Sequence, residues 1–193
     1  MKKIINEPTQ VVDEMLQGLS FMHDDLVQRL DGFDVIVRKA EKTGKVGLIS
    51  GGGSGHEPSH AGFVGDGMLS AAICGAVFTS PTPDQILEAI KAADEGAGVF
   101  MVIKNYSGDI MNFEIAQELA EMEGIDVASV VVDDDIAVEN SLYTQGRRGV
   151  AGTILVHKIL GDAARSGKTL SEMKDLADKL VLEIKTIGLA LSG

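Results

Sequence analysis

The chain has 193 residues, of which 45% are apolar and 24% charged, and its 17 Lys and Arg against 29 Asp and Glu give a formal net charge of −12. This composition excludes a disordered chain, and the acidic balance argues against a protein that binds nucleic acid or an anionic membrane surface. A single cysteine, Cys74, and the lack of an apolar run long enough to span a bilayer predict a cytoplasmic protein without an internal disulfide.

The first third of the chain predicts one long helix followed by short strands. Apolar residues recur at helical spacing from Thr9 to Leu30, which predicts a helix over that range. Runs rich in β-branched residues predict strands at Phe33–Val37 and Val46–Ile49, and a buried strand is expected at Met68–Ile73. A glycine-rich loop is expected to begin at Gly51.

Helices and strands alternate in the rest of the chain. Thr82, Pro83 and Gln85 are typical of a helix start, and this helix is expected to reach Ala93. Further strands are predicted at Gly98–Ile103 and Val127–Val132, and further helices at Asp109–Met122, at Gly149–Arg165 with Gly167 as its C-cap, and from the capping box at Thr169 to Ile187. The alternation predicts a single α/β domain over residues 1–193, with a largely parallel sheet flanked by helices.

The run Gly51-Gly52-Gly53-Ser54-Gly55-His56 directly follows a predicted strand. Ligands of α/β sheets bind beyond the carboxyl ends of strands, and consecutive glycines let backbone N–H groups converge on a ligand oxygen. Neither the P-loop nor the Rossmann glycine spacing is present. The run therefore predicts a ligand-binding loop of another kind, with a tight turn that binds nothing as the alternative.

The order His56-Glu57-Pro58-Ser59-His60 formally matches the zinc motif HExxH. A proline inside the required helix and the lack of a third ligand argue against a metalloprotease, so no metal site is predicted. His60 is then expected to be a packed or capping histidine.

Two further strand ends carry polar residues. Lys104 leaves an apolar strand and is well placed to hold a hydroxyl, carbonyl or phosphate oxygen, and Asp109 is either a helix cap or a general base. The carboxylates Asp133, Asp134 and Asp135 could hold Mg²⁺, but the interpretation we favour is a structural network with Arg147 and Arg148. Those arginines could instead bind an anionic group of a partner.

Five segments of the chain resemble, in order and spacing, the substrate-binding subunit of dihydroxyacetone kinase, in the form that works with the phosphoenolpyruvate phosphotransferase system. The resemblance covers the chain from Met1 to Gly193 and is carried by LISGGGSGHEPSHAGFVGDGMLSAAICG, VFTSPTPDQI, VIKNYSGDIMNFE, VVVDDDIAV and LYTQGRRGVAGT.

The resemblance implies a role for each matching residue. The family's substrate-contacting loop corresponds to Gly53, Ser54, Gly55 and His56, with His56 bonding a substrate hydroxyl and acting in proton transfer. Lys104 corresponds to a substrate contact, and Asp109 to the residue that accepts the proton of the hydroxyl to be phosphorylated. His56 and Asp109 are therefore the expected catalytic residues.

The resemblance also implies partners for the chain. The resemblance implies that the chain carries no cofactor of its own, that ADP or ATP and Mg²⁺ reside on a separate nucleotide-carrying subunit, and that this subunit is served by a phosphocarrier. A homodimer is a further expectation. The alternative function is a regulatory paralogue that senses dihydroxyacetone without turnover, and single-chain ATP-dependent kinases share the same region.

One departure from the family is marked. Members continue into a second α/β region whose histidine bonds covalently to the substrate carbonyl, and this chain does not contain that motif. His157, within Ile154-Leu155-Val156-His157, does not match it and is expected to be a partly buried helix residue. The chain is therefore expected to be an N-terminal portion of such a subunit, with half of the site and no activity by itself.

Overall fold

The described residues form one mixed sheet with helices on both faces. The computed structural model describes residues 3–139, 144 and 146–191, so part of the predicted motif LYTQGRRGVAGT lies outside the described residues. The sheet has six strands in the order β1-β2-β4-β3-β5-β6, where β1 is Val27–Arg29, β2 Val35–Arg38, β3 Gly47–Ser54, β4 Ala71–Val77, β5 Val99–Lys104 and β6 Val127–Val132.

The sheet is parallel through its centre and antiparallel at one edge. The pairs β3–β4, β3–β5 and β5–β6 are parallel, whereas β2 runs antiparallel to both β4 and β1. The predicted α/β architecture with a largely parallel sheet is confirmed. The antiparallel edge was not predicted.

Five helices of the described residues cover the two faces: α1 (Val11–Met22), α2 (Pro83–Ala93), α3 (Ser107–Met122), α4 (Thr153–Arg165) and α5 (Leu170–Glu183). Alternate side chains of β5 divide between the faces, as expected for a strand buried on both sides. Phe100 and Val102 join the core under α1, α4 and α5, while Met101 and Ile103 join the core under α2 and α3. Among the described residues, none of the helices has the length and apolarity needed to cross a bilayer.

The prediction of one helix from Thr9 to Leu30 is wrong. Helix α1 ends at Met22, and Val27–Arg29 forms edge strand β1, paired with β2. The guanidinium of Arg29 bonds both Asp13 on α1 and Asp34, at 2.5 Å each. Pairing with β2 and the contact with Asp13, 16 residues away, override the local helical pattern.

The prediction that a loop begins at Gly51 is also wrong, because strand β3 continues to Ser54. A Cβ on Gly51 would lie 2.7 Å from the Ile73 carbonyl oxygen, and one on Gly53 would lie 2.5 Å from the Thr79 backbone nitrogen. These glycines therefore allow close backbone packing against β4 and the turn after it, which periodicity alone does not reveal.

Other boundaries shift by a few residues. Strand β4 runs over Ala71–Val77 rather than Met68–Ile73, α3 begins at Ser107, α4 begins at Thr153, and α5 ends at Glu183 rather than Ile187. The predicted helix start at Thr82 and the capping box at Thr169 are confirmed. Caps are read well from sequence because their hydrogen bonds are local.

Two buried histidines join α4 to the segment after β3. His60 is 4% exposed and His157 is fully buried, so the expectation of a partly buried His157 is wrong. His60 Nδ1 lies 3.0 Å from His157 Nε2. Burial lowers the pKa of His157 to about 3 and that of His60 well below its usual value, with the positive charge of Lys104 adding to both shifts.

We predict that substituting Gly161, in the middle of α4, destabilises the fold. In Gly161→Ala the new Cβ would meet the Gly67 carbonyl oxygen at 2.5 Å, so the helix and that backbone must separate. The free energy of unfolding should fall by about 1–3 kcal/mol in a denaturant titration. The matched control is Gly18→Ala on α1, where a Cβ meets nothing within 4 Å, and stability should stay equal or rise. Equal effects of the two substitutions would contradict the packing argument.

We predict that the histidine pair makes the fold acid-sensitive. Both pKa values are lowered in the folded state, so below about pH 6.5 the unfolded chain binds protons that the folded chain does not. Stability should therefore fall as the pH drops from about 6.5 towards 5, by about 2 kcal/mol from His157, and the lowered pKa of His60 adds to the fall. The double substitution His60→Leu and His157→Leu should flatten this slope in denaturant titrations at a series of pH values. An unchanged slope would contradict the assignment.

Candidate active site

A cleft opens at the carboxyl-terminal edge of the sheet, where β3 and β5 end beside each other. It has a volume of about 700 Å³. Its walls come from the end of β3, the loop after β4 and the junction of β5 with α3, and they comprise Gly53, His56, Phe78, Ser80, Lys104, Tyr106, Ser107, Gly108 and Asp109. Because parallel strands end at one edge, residues that are far apart in the chain meet in this cleft.

Asp109 is a buried carboxylate in the first turn of α3 and is 4% exposed. Its Oδ1 accepts a hydrogen bond from the hydroxyl of Ser80. Burial raises the pKa of Asp109, while the Ser80 hydrogen bond and the positive charge of Lys104 oppose the rise. The N-cap position of α3 belongs to Tyr106, so the alternative of Asp109 as the helix cap is wrong. A carboxylate made more basic by burial is suited to accept a proton from a hydroxyl.

Lys104 is the last residue of β5 and is 8% exposed. Burial lowers its pKa, and the negative charge of Asp109 opposes this shift. A Cβ on Gly52 would lie 3.2 Å from Lys104 Nζ and 3.7 Å from Asp109 Oδ2, so both charged groups meet over this glycine. The cleft floor therefore presents a cation and an anion side by side, and Gly52 leaves room for the lysine.

His56 lies just beyond β3, with its ring tilted against the ring of Phe78 at a centroid distance of 5.7 Å. Partial burial lowers the pKa of His56, and the charge of Lys104 lowers it further. The imidazole is therefore held in its neutral form at pH 7, with one nitrogen able to donate and the other able to accept a hydrogen bond.

The structure brings four of the six predicted site residues into the cleft: Gly53, His56, Lys104 and Asp109. The hydroxyl of Ser54 is buried and donates to the Gly75 carbonyl oxygen at 2.7 Å, which joins β3 to β4. Gly55 has a φ of +123°, and a Cβ there would overlap the Phe78 ring. The side-chain positions of Ser54 and Gly55 are thus occupied by packing, and any ligand contact would come from their backbone.

Sequence reasoning missed five residues of the cleft, namely Phe78, Ser80, Tyr106, Ser107 and Gly108. The first two follow β4, whose end was predicted several residues too early, at Ile73. The predicted helix start at Thr82 could have corrected the end of β4, because a strand that leads into a helix ends shortly before the helix begins. Tyr106 lies between Lys104 and Asp109, and its ring centroid is 5.8 Å from Lys104 Nζ.

The zinc motif does not form a metal site. The residues from His56 to His60 form turns rather than a helix, and the His60 ring bonds His157. Within residues 3–139, 144 and 146–191, no group of three or more His, Cys, Asp and Glu side chains is arranged to hold a metal ion.

The carboxylates after β6 form the predicted structural network. Arg147 bonds Asp133 at 2.8 Å, and Arg148 bonds Asp135 at 2.6 Å. Asp134 is 1% exposed and accepts hydrogen bonds from the backbone N–H groups of residues 150 and 152. The favoured interpretation of these residues is confirmed, and the network holds the segment before α4 against the end of β6.

Comparison with known proteins identifies several relatives. The chain is 70% identical over 191 residues to the PTS-dependent dihydroxyacetone kinase, dihydroxyacetone-binding subunit DhaK, of Lactococcus lactis, which covers 99% of this chain and 58% of the relative. It is 43% identical over 190 residues to the DhaKLM operon coactivator DhaQ of the same species, covering 98% of this chain and 58% of that protein. The chain thus spans just over half the length of either relative.

A solved structure and a family model agree with this similarity. The crystal structure of the dihydroxyacetone kinase from C. freundii in complex with AMP-PNP and Mg²⁺ matches with a TM-score of 0.86 and 40% identity, over 92% of this chain and 33% of that one. The family model of the Dak1 domain matches residues 17–193. The resemblance predicted from the sequence motifs is confirmed, and the chain belongs to the Dak1 domain family.

Proposed function

We propose that the chain is the dihydroxyacetone-binding region of a phosphotransferase-system-dependent dihydroxyacetone kinase. It would bind dihydroxyacetone and position one hydroxyl for phosphoryl transfer from a nucleotide-carrying partner subunit, giving dihydroxyacetone phosphate. The observation that carries the proposal is the convergence of His56, Lys104 and Asp109 on one cleft. The 70% identity to a protein named for this binding role supports it.

The chemistry of the cleft suits a small polyhydroxy ketone. Such a ligand offers little apolar surface, so its affinity and orientation must come from hydrogen bonds on rigid elements. The neutral ring of His56 can both donate to and accept from hydroxyl groups, and Lys104 supplies a cation beside the ligand oxygens. Gly53 lines the cleft at the end of β3.

In the transfer step, the carboxylate of Asp109 accepts a proton. The substrate hydroxyl oxygen forms the new bond to the terminal phosphorus, the phosphorus–oxygen bond to the nucleoside diphosphate breaks, and the hydroxyl proton passes to the Asp109 carboxylate. Ser80 fixes this carboxylate by its hydrogen bond, and burial makes it more basic. In this proposal the nucleotide and Mg²⁺ belong to the partner subunit. A phosphocarrier in the cytoplasm would then re-phosphorylate the nucleotide on that subunit.

A second candidate function is a sensor that binds dihydroxyacetone without turnover. The observation that favours it is the 43% identity to an operon coactivator over 98% of the chain. The kinase reading has the stronger support because the identity to the kinase subunit is higher and the base Asp109 lies in the cleft. Phosphoryl transfer with the nucleotide-carrying partner separates the two, since a sensor would bind the ketose and support no transfer.

We predict that dihydroxyacetone binds saturably and that His56→Asn weakens this binding. The substitution removes the imidazole that bonds the substrate, so affinity should fall by about tenfold or more in a calorimetric titration. Glycerol, which lacks the carbonyl, serves as the ligand control. His23→Asn changes an exposed histidine at the end of α1 and should leave affinity unchanged. The proposed function fails if neither this chain nor a longer form that includes the second region binds the ketose.

We predict that Asp109→Asn, in a form of the subunit that includes the second region and is assayed with its nucleotide-carrying partner, abolishes most of the turnover while binding changes less. The amide keeps the shape of the side chain but accepts no proton, so turnover should fall by about 10²–10⁴-fold. In the unaltered enzyme, turnover should decline as the pH falls through a pKa above that of an ordinary aspartate, because burial raises the pKa of Asp109. Asp84→Asn, an exposed acid in the first turn of α2, is the control. Full activity of Asp109→Asn would exclude it as the base.

A further inference from the structure

The histidine pair His60–His157 poses a problem that packing does not solve. Both side chains are buried, and their single mutual hydrogen bond leaves His60 Nε2 and His157 Nδ1 without a partner. Whichever ring donates, one N–H and one lone pair stay unsatisfied. Unsatisfied buried polar atoms are costly, and two leucines of similar volume would avoid that cost. Such local violations concentrate at positions that serve function.

The pair anchors the segment that carries His56. Residues 55–58 are exposed, whereas His60 at the end of the segment is buried. Beyond the end of β3, this segment is joined to a distant part of the chain by the hydrogen bond between the rings of His60 and His157, the latter on α4. The Phe63 ring lies tilted near the His157 ring, with 6.4 Å between ring centroids. The position of His56 therefore depends on where α4 holds His157.

Helix α4 is itself fixed relative to the other cleft residues. In the segment before the helix, a Cβ on Gly149 would lie 2.4 Å from the Val132 carbonyl oxygen and 2.9 Å from Lys104 Cα, so this backbone lies directly on the ends of β5 and β6. Further along the helix, Gly161 contacts the Gly67 backbone. His157 is thus held by elements that also hold Lys104.

We propose that His157 is a positioning residue, which through its hydrogen bond to His60 fixes the His56 segment at the correct separation from Lys104 and Asp109. The inference rests on the proposed function, because it concerns binding in the same cleft. Neither histidine touches the cleft, so their effect reaches the ligand through the backbone from residue 60 to residue 56. Loss of the hydrogen bond should leave the chemistry of Asp109 intact but let His56 move away from its bonding position.

The test uses three substitutions of His157, made in a form of the subunit that includes the second region and assayed with its nucleotide-carrying partner. The amide nitrogen of Gln falls near the place of the histidine Nε2, which bonds His60, whereas the amide of Asn falls near Nδ1. His157→Leu and His157→Asn should therefore raise the KM for dihydroxyacetone by roughly 10- to 100-fold with a smaller change in kcat, and His157→Gln should restore KM to within about threefold. Equal KM values for the Asn and Gln variants would overturn the proposal.

The control for stability alone is Val156→Ala, which removes buried side-chain volume from the adjacent position of α4. It should lower the melting temperature without changing KM. If Val156→Ala raises KM as much as His157→Leu does, the role of His157 is structural only, and the proposal is wrong.

A spectroscopic measurement separates this proposal from the proposed function. The NMR resonance of the His56 ring, measured without any ligand, should shift in His157→Leu and return in His157→Gln. This holds even if the protein binds no dihydroxyacetone. A resonance that is unchanged in all three variants would overturn the positioning role, and absent ketose binding with the expected shifts would overturn the proposed function alone.

Discussion

The close approach of β3 to β4 and to the turn after β4 is the constraint on which the site depends. Gly51 and Gly53 have no room for a side chain, because backbone atoms of the neighbouring segments occupy the positions of their Cβ atoms. This contact brings Phe78 and Ser80 to the end of β3, beside His56. The glycines therefore act through packing, and Gly53 also lines the cleft.

The electrostatics of the cleft follow from burial of two opposite charges over Gly52. Burial raises the pKa of Asp109 and lowers that of Lys104, and each charge limits the shift of the other. Water is partly excluded at this point, so both groups interact strongly with any oxygen placed between them. Burial lowers the pKa values of His56, His60 and His157, and the positive charge of Lys104 lowers them further.

Helix α4 contributes to the cleft without lining it. The acidic network after β6 places the segment before the helix, the glycine contacts seat it on the sheet, and His157 reaches back to the chain that carries His56. The residues that resemble a zinc motif in sequence thus divide between two tasks. His56 lies in the cleft, and the buried His60 anchors the segment to His157 on α4.

The sequence by itself determined the α/β class, the capped helices α2 and α5, and four of the residues that meet in the cleft, because alternation, capping and strand-end chemistry are local patterns. It did not determine that Val27–Arg29 leaves the helical pattern to become an edge strand, since Arg29 and its partners come together only in the fold. The pattern of the Gly51–Gly53 run predicted a loop, because the close approach of the neighbouring backbone leaves no signal in the local sequence. The tertiary structure alone decided that Ser80 bonds Asp109 and that His60 bonds His157, for these pairs are 29 and 97 residues apart in the chain.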